Sequence, residues 1–227
     1  MCFSATASFT AAAVLLPAGA YCLKVSNQID KRYWAFAILP FMFGLQQLIE
    51  GGVWLALQQD DADMAHSLAL AFLLFSHVFW LGWVAYSASL VESSVRLATL
   101  FVRMVVFGVL FGAMMYVPLL LRPEWMVVSI VNHSIHYELV FISDAYISQT
   151  VITALYAIVI LLPLLLSSDR YHKRLGLLVL ISGLVTWSFY EWVFISVWCY
   201  FAALISVYIF VAIARSVQAT KTTDVAL

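Results

Sequence analysis

Seven apolar runs constrain this chain more than any other feature, because hydrocarbon about 30 Å thick is crossed by a helix of about 20 apolar residues and by little else. They cover about 4–24, 33–57, 64–91, 97–121, 145–167, 174–190 and 194–215. The last two have no glycine or proline break where they must part. As one helix, their roughly 42 residues would be about 63 Å long, twice the membrane, so the chain must reverse near Tyr190 to Ile195. With 65% hydrophobic and 10% charged residues, against about 25% charged in an ordinary soluble domain, the expected fold class is all-α integral membrane. Residues 1–216 form one seven-helix transmembrane domain, and 217–227 form a short polar tail expected to be disordered.

Basic residues of short loops collect on the cytoplasmic side. An outside amino terminus puts Lys24, Lys31, Arg32, Arg96, Arg103, Arg170, Lys173, Arg174, Arg215 and Lys221 at cytoplasmic ends and leaves only Arg122 outside. Ten against one fits an odd number of spans, a cytoplasmic carboxyl terminus and the inner (cytoplasmic) membrane of a cell. No Lys or Arg precedes the first run, so it reads as a retained span and not as a secretory signal. The net charge of −1, without a basic block, argues against a nucleic-acid partner. No nucleotide cofactor is expected either.

Within the second run, Phe41-Met-Phe-Gly-Leu-Gln-Gln-Leu-Ile-Glu-Gly-Gly-Val-Trp54 places a carboxylate and two carboxamides where a lone charge costs several kcal/mol. Gln46, Glu50 and Trp54 are spaced i, i+4, i+8, and Gln47 lies three before Glu50, so on a helix they share one stripe. That stripe is expected to face protein. His77, about 17 Å along the third run from His66, sits near mid-membrane with Ser76 beside it and Trp80 on its face. Gly108-Val-Leu-Phe-Gly112 in the fourth run is a small-xxx-small pattern for close helix approach, within the chain or at a dimer contact.

Residues 122–144 make the longest outer loop. Its β-branched runs flank Asn132-His-Ser134 and predict a small β-hairpin, folded as a lid over the outer mouth of the bundle between the fourth and fifth helices. This topology gathers Cys2, Glu50, His133, His136, Glu191 and Cys199 in the outer half. Thiolate, imidazole and carboxylate are ligands for Zn, or for Cu where sulfur dominates. The expected metal set is Cys2, Glu50, His133, His136 and Cys199, although no compact motif such as His-Glu-x-x-His is present. Cys2 and Cys199 could instead form a disulfide or pack unlinked. His77 could be a satisfied interhelical hydrogen-bonder.

Met1-Cys-Phe-Ser-Ala-Thr-Ala-Ser-Phe9, Phe43-Gly-Leu-Gln-Gln-Leu-Ile-Glu-Gly51 and Val197-Trp-Cys-Tyr-Phe-Ala-Ala203 together resemble an uncharacterised family of bacterial multi-pass membrane proteins that begin with a Met-Cys-Phe-Ser motif. The resemblance covers essentially the whole chain. It implies location and fold, and it assigns no activity. The motif positions it carries over are Cys2, Gln46, Gln47, Glu50, Trp198 and Cys199.

Two classes of function follow. In one, an outer-half metal activates water, Glu50 and His77 act in catalysis, Gln46 and Gln47 help to bind, and an amphiphilic substrate entering between helices is hydrolysed. In the other, the site binds without reacting, as a metal- or ligand-binding sensor, a carrier or an accessory subunit. Expected partners are membrane lipids, a lipid-like or small-molecule ligand, and a second copy of the chain or a larger membrane complex. A retinal protein is disfavoured, since the seventh run has no lysine for a Schiff base.

Overall fold

A computed structural model of the chain describes residues 4–26, 28, 30–140, 149–190 and 193–215. Cys2, Glu191 and the tail 217–227 lie outside them. Seven helical segments follow in order among the described residues: α1 (Ala5–Ser26), α2 (Lys31–Gln58), α3 (Ala62–Val91), α4 (Val95–Leu121), α5 (Gln149–Leu166), α6 (Arg170–Tyr190) and α7 (Phe194–Arg215). Between α4 and α5 lies an antiparallel hairpin, β1 (Met126–Val131) and β2 (Ser134–Leu139). Five of the helices, α1 to α4 and α7, are long and apolar enough to cross a membrane.

Side-chain partition gives the same answer as hydropathy. Glu50, Gln46 and Gln47 are 0% exposed, whereas Leu110 on α4 is 65% exposed and Leu184 on α6 is 60% exposed. In water that arrangement would be inverted; against lipid tails it is the stable one. The chain is a multi-pass membrane protein.

Caps set the helix starts. The Asp61 carboxylate accepts the Met64 N–H at 2.9 Å at the start of α3, and Asp169 accepts the N–H groups of Tyr171 and His172 at 3.0 and 2.9 Å at the start of α6. These bonds satisfy donors that a helix amino terminus otherwise leaves unpaired. The Asp169 cap also explains why α6 begins at Arg170, four residues before its apolar run. A capped first turn holds Arg170, Lys173 and Arg174 in helix despite their charge.

Glycines decide how closely the helices approach. A methyl on Gly19 would overlap the backbone of Phe41, and one on Gly44 would meet the Leu16 nitrogen at 2.9 Å, which brings α1 and α2 together antiparallel. On α4, Gly108 faces the Leu81 carbonyl and Gly112 faces the His77 carbonyl. The small-xxx-small pattern therefore packs α4 against α3 inside the chain. Opposite Gly112 the α3 ladder opens into a π-helical turn, Phe75–Phe79, a local widening that recurs at functional sites. Ser76 O, within it, accepts the Tyr156 hydroxyl at 2.5 Å.

The hairpin closes on Asn132 (φ 47°) and His133 (φ 58°), two left-handed residues as a two-residue type I′ loop requires. Ile135 and Tyr137 are buried, and the Tyr137 ring stacks on Phe72 at 5.1 Å. Strand β1 packs on α3 and β2 on α7, so the expected lid sits over one end of the bundle, called here the hairpin end. At the opposite, basic end, the Glu92 carboxylate accepts from Ser94 N, Ser168 N and Ser168 Oγ at 3.0, 2.8 and 2.7 Å. It ties the α3–α4 turn to the α5–α6 turn.

Two predictions follow. Gly112→Ala destabilises the bundle by about 1–3 kcal/mol, because its neighbour is a backbone oxygen that cannot move aside. Gly52→Ala, which meets the flexible Leu68 side chain, nearest at Cδ1 at 3.0 Å, costs less than about 1 kcal/mol; thermal unfolding in detergent compares the two. Burial raises the Glu92 carboxyl, but hydrogen bonds from Ser168 and from the Ser94, Ser168 and Ser93 backbone outweigh it and leave the pKa below its ordinary value. A depressed pKa stabilises the fold above the ordinary carboxylate range and loses that effect as pH falls through the folded value. The melting-temperature gap between wild type and Glu92→Gln is accordingly widest near neutrality and shrinks in acid.

Candidate functional site

The α2 stripe faces protein along its whole length. Glu50 Oε2 accepts Gln47 Nε2 at 3.1 Å from one turn back on the same helix. Its Oε1 accepts the Ser196 hydroxyl at 2.7 Å from the first turn of α7. One turn toward the basic end, Gln46 Oε1 accepts the Trp80 indole N–H at 2.8 Å from α3. The Trp80 ring is held in place by stacking on Phe43 at 3.9 Å. Three helices thus supply the groups that let a carboxylate and two carboxamides sit in a lipid-enclosed core.

The hydrogen bonding at this site is incomplete. Gln46 Nε2, Gln47 Oε1, Trp54 Nε1 and Ser8 Oγ are buried without a hydrogen-bond partner among the described residues. Gly51 meets the Phe9 ring as Gly44 meets Leu16, and this antiparallel pairing places Ser8 of α1 beside the turn of α2 that carries Trp54. Two N–H donors, a carbonyl acceptor and a hydroxyl are left over around one carboxylate. Each such group costs roughly 1–3 kcal/mol if nothing meets it, and buried water or a polar ligand group is the usual complement.

Cys199, on α7, lies between the polar stripe and the apolar interior, beside Gln46 and within the field of Glu50. Two internal cavities meet at Cys199, Tyr156 and Trp198. One, about 70 Å³, is also lined by His77, Met115 and Ile152; the other, about 50 Å³, by Phe43, Trp80 and Val84. Beyond Trp198 a groove of about 340 Å³ opens sideways between α5 and α6, past Thr153, Gly183 and Trp187.

The residues singled out in the sequence separate into groups. Gln46, Gln47, Glu50 and Cys199 come together. His77 lines the adjoining cavity, with its Nδ1 2.9 Å from Ser76 Oγ. Its aromatic neighbour is Tyr156, ring centres 6.5 Å apart, while Trp80 serves Gln46. His133 is exposed at the hairpin tip, and His136 is partly exposed on the strand face opposite Ile135 and Tyr137. Neither joins Glu50 and Cys199 in a ligand group, and Cys2 lies outside the described residues. No three His, Cys, Asp or Glu side chains among the described residues could hold a metal ion, so the described part of the expected Zn or Cu set forms no centre by itself.

Ser196, Ser8 and Tyr156 were not legible as site residues, and Trp80 was legible only as a neighbour of His77, not as the partner of Gln46. A serine in an apolar helix and an aromatic near a span end each have a commoner reading as packing or interface groups. Only the requirement that Glu50 be paired could have prompted a search for them. Ser196→Ala, which removes the 2.7 Å bond to Glu50, is expected to cost about 1–3 kcal/mol, well above the cost of Ser188→Ala on the exposed face of α6, measured by thermal unfolding in the same detergent.

No curated protein and no solved structure matches the chain. Residues 1–224, nearly the full length, match the family of unknown function DUF6629, and the chain belongs to that family.

Proposed function

We propose that the chain is a ligand-binding protein of a cell's inner membrane, with its hairpin end outside, and that the buried polar groups around Glu50 take the polar head of a small amphiphile. The observation that carries this reading is the set of buried groups without a partner among the described residues: Gln46 Nε2 and Trp54 Nε1 to donate, Gln47 Oε1 to accept, and Ser8 Oγ to do either. They complement a head group that carries both an acceptor and a donor, such as a hydroxyl beside a carbonyl. A carboxylate in a membrane interior, its oxygens already engaged by Gln47 and Ser196, marks a functional position by default. The apolar body of such a ligand fits the cavities on either side of Trp198, and the groove between α5 and α6 is its route from the bilayer. Pockets that combine apolar walls with a few converging polar groups are the ordinary form of small-molecule sites.

At the Glu50 site, binding without reaction is the better-supported class. The hydrolytic reading needs a metal to activate water, and the described residues do not bring a ligand set to Glu50 and His77. No step is therefore assigned to either residue. The orientation rests on the basic residues, which gather at the end away from the hairpin.

Native mass spectrometry of protein purified in mild, chelator-free detergent tests the reading. We expect about one small molecule per chain in the wild type, reduced at least about tenfold in Gln46→Leu and in Trp54→Phe. A bare chain in the wild-type spectrum would remove the ligand and leave ordered water as the complement. About one Zn or Cu per chain by elemental analysis, lost in Cys2→Ser, would replace the reading with a metal centre. For orientation, His133→Cys is expected to react with a membrane-impermeant thiol reagent on intact cells; reaction only after lysis would invert the topology.

A further inference from the structure

A second buried polar centre lies at the basic end, built from residues that the Glu50 site does not use. Ser87 Oγ on α3 is 2.9 Å from His172 Nε2 on α6. On the other side of the ring, His172 Nδ1 is 2.8 Å from Asp169 Oδ2. Asp169 Oδ1 accepts the Tyr33 hydroxyl at 2.6 Å. Ser87 is 1% exposed and His172 0%, and the Phe36 ring lies against the imidazole, with centres 4.4 Å apart.

The polarity of this chain of bonds follows from Asp169. Burial raises its carboxyl, but hydrogen bonds from His172 and Tyr33, with the His172 backbone N–H, hold it down at about 2. It is therefore an anion at neutral pH and can only accept, which makes Nδ1 the protonated nitrogen of the ring. With one proton on the ring, Nε2 carries the lone pair, and the serine hydroxyl donates to it. A hydroxyl, an imidazole and a buried carboxylate in that order and at those distances form the arrangement that activates a serine for acyl transfer, recognised by geometry and not by chain position. A tie between helices would need no particular order of donor and acceptor. The apolar cavity that begins at Trp80 reaches Val84, one turn from Ser87 on α3, and Leu175, one turn from His172 on α6. Its walls are apolar, as a hydrocarbon chain requires.

We infer that Ser87, His172 and Asp169 form a nucleophilic centre for the acyl group of a membrane-embedded ester, with Tyr33 as a positioning residue on Asp169. In the first half-reaction the Ser87 proton passes to His172 Nε2, an Oγ–C bond forms to the acyl carbon, and the bond from that carbon to the alcohol oxygen breaks. The departing alkoxide takes the proton from Nε2. In the second half, water gives a proton to Nε2 and adds to the acyl carbon, the Oγ–C bond breaks, and Ser87 recovers its proton. The sum is ester plus water giving carboxylic acid plus alcohol, with no oxidant or metal required. This inference does not rest on the ligand reading of the Glu50 site, which lies toward the other end of the bundle.

The test uses an alkyl fluorophosphonate on the full chain in native membranes, with the adduct located by peptide mass spectrometry. Wild type is expected to carry one phosphonyl group on Ser87, Ser87→Ala none, and Asp169→Asn and His172→Gln to react at least about a hundredfold more slowly. An unlabelled wild-type chain with an intact melting transition overturns the inference, and so does a label that persists in Ser87→Ala. A wild-type rate equal to that of Asp169→Asn overturns it as well, since a serine that is merely accessible would not depend on the aspartate.

Discussion

The bundle depends on one exchange: a carboxylate is enclosed by lipid-facing helices, and it stays there because a serine from a helix 146 residues away in sequence reaches it. Glu50 could not sit on the apolar surface of α2 without neutralising or finding donors. Once Gln47 and Ser196 satisfy it, the face of α2 that carries it is committed to the interior. The rotation of α2 then follows, and with it the Gln46–Trp80 bond to α3 and the packing of Cys199 beside the same stripe.

Close approach is the second constraint. With apolar lipid on one side and apolar helix on the other, hydrophobic driving force between helices is weak, and contact area has to come from fit. Gly19 and Gly44 bring α1 onto α2, and Gly108 and Gly112 bring α4 onto α3. The π-helical turn at Phe75–Phe79 lies where Gly112 presses on the His77 carbonyl. It turns Ser76 O toward Tyr156, so the same contact that packs α4 also helps to shape the cavity beside Cys199.

The two polar centres differ in a way that bears on their chemistry. Around Glu50 several buried groups have no partner among the described residues, and the site is built to be completed by something else. Around His172 each donor has its acceptor, from Tyr33 through Asp169 and the ring to Ser87. A set of groups with bonding capacity left over suits binding, whereas a saturated relay of fixed direction suits proton transfer. Between them lies an apolar cavity whose walls belong to α2, α3, α5, α6 and α7.

Much of the fold was legible in the chain alone, because membrane crossing is a local property. Length and apolarity mark each span without reference to any other, and Asn132-His133 between β-branched runs marks the hairpin in the same way. The burial of Glu50, Gln46 and Gln47 could also be read locally, from the cost of leaving them in lipid. What tertiary structure alone decided is which groups meet. His133 and His136 share an end of the bundle with Glu50, yet alternation along β2 and the left-handed loop keep them out of its ligand group. Ser196, Trp80 and Ser87 have sequence neighbours that look like any apolar span. The Ser87–His172–Asp169 relay joins positions 85 residues apart, and no spacing rule connects them, since hydrogen bonds depend on distance in space and sequence patterns report only distance along the chain.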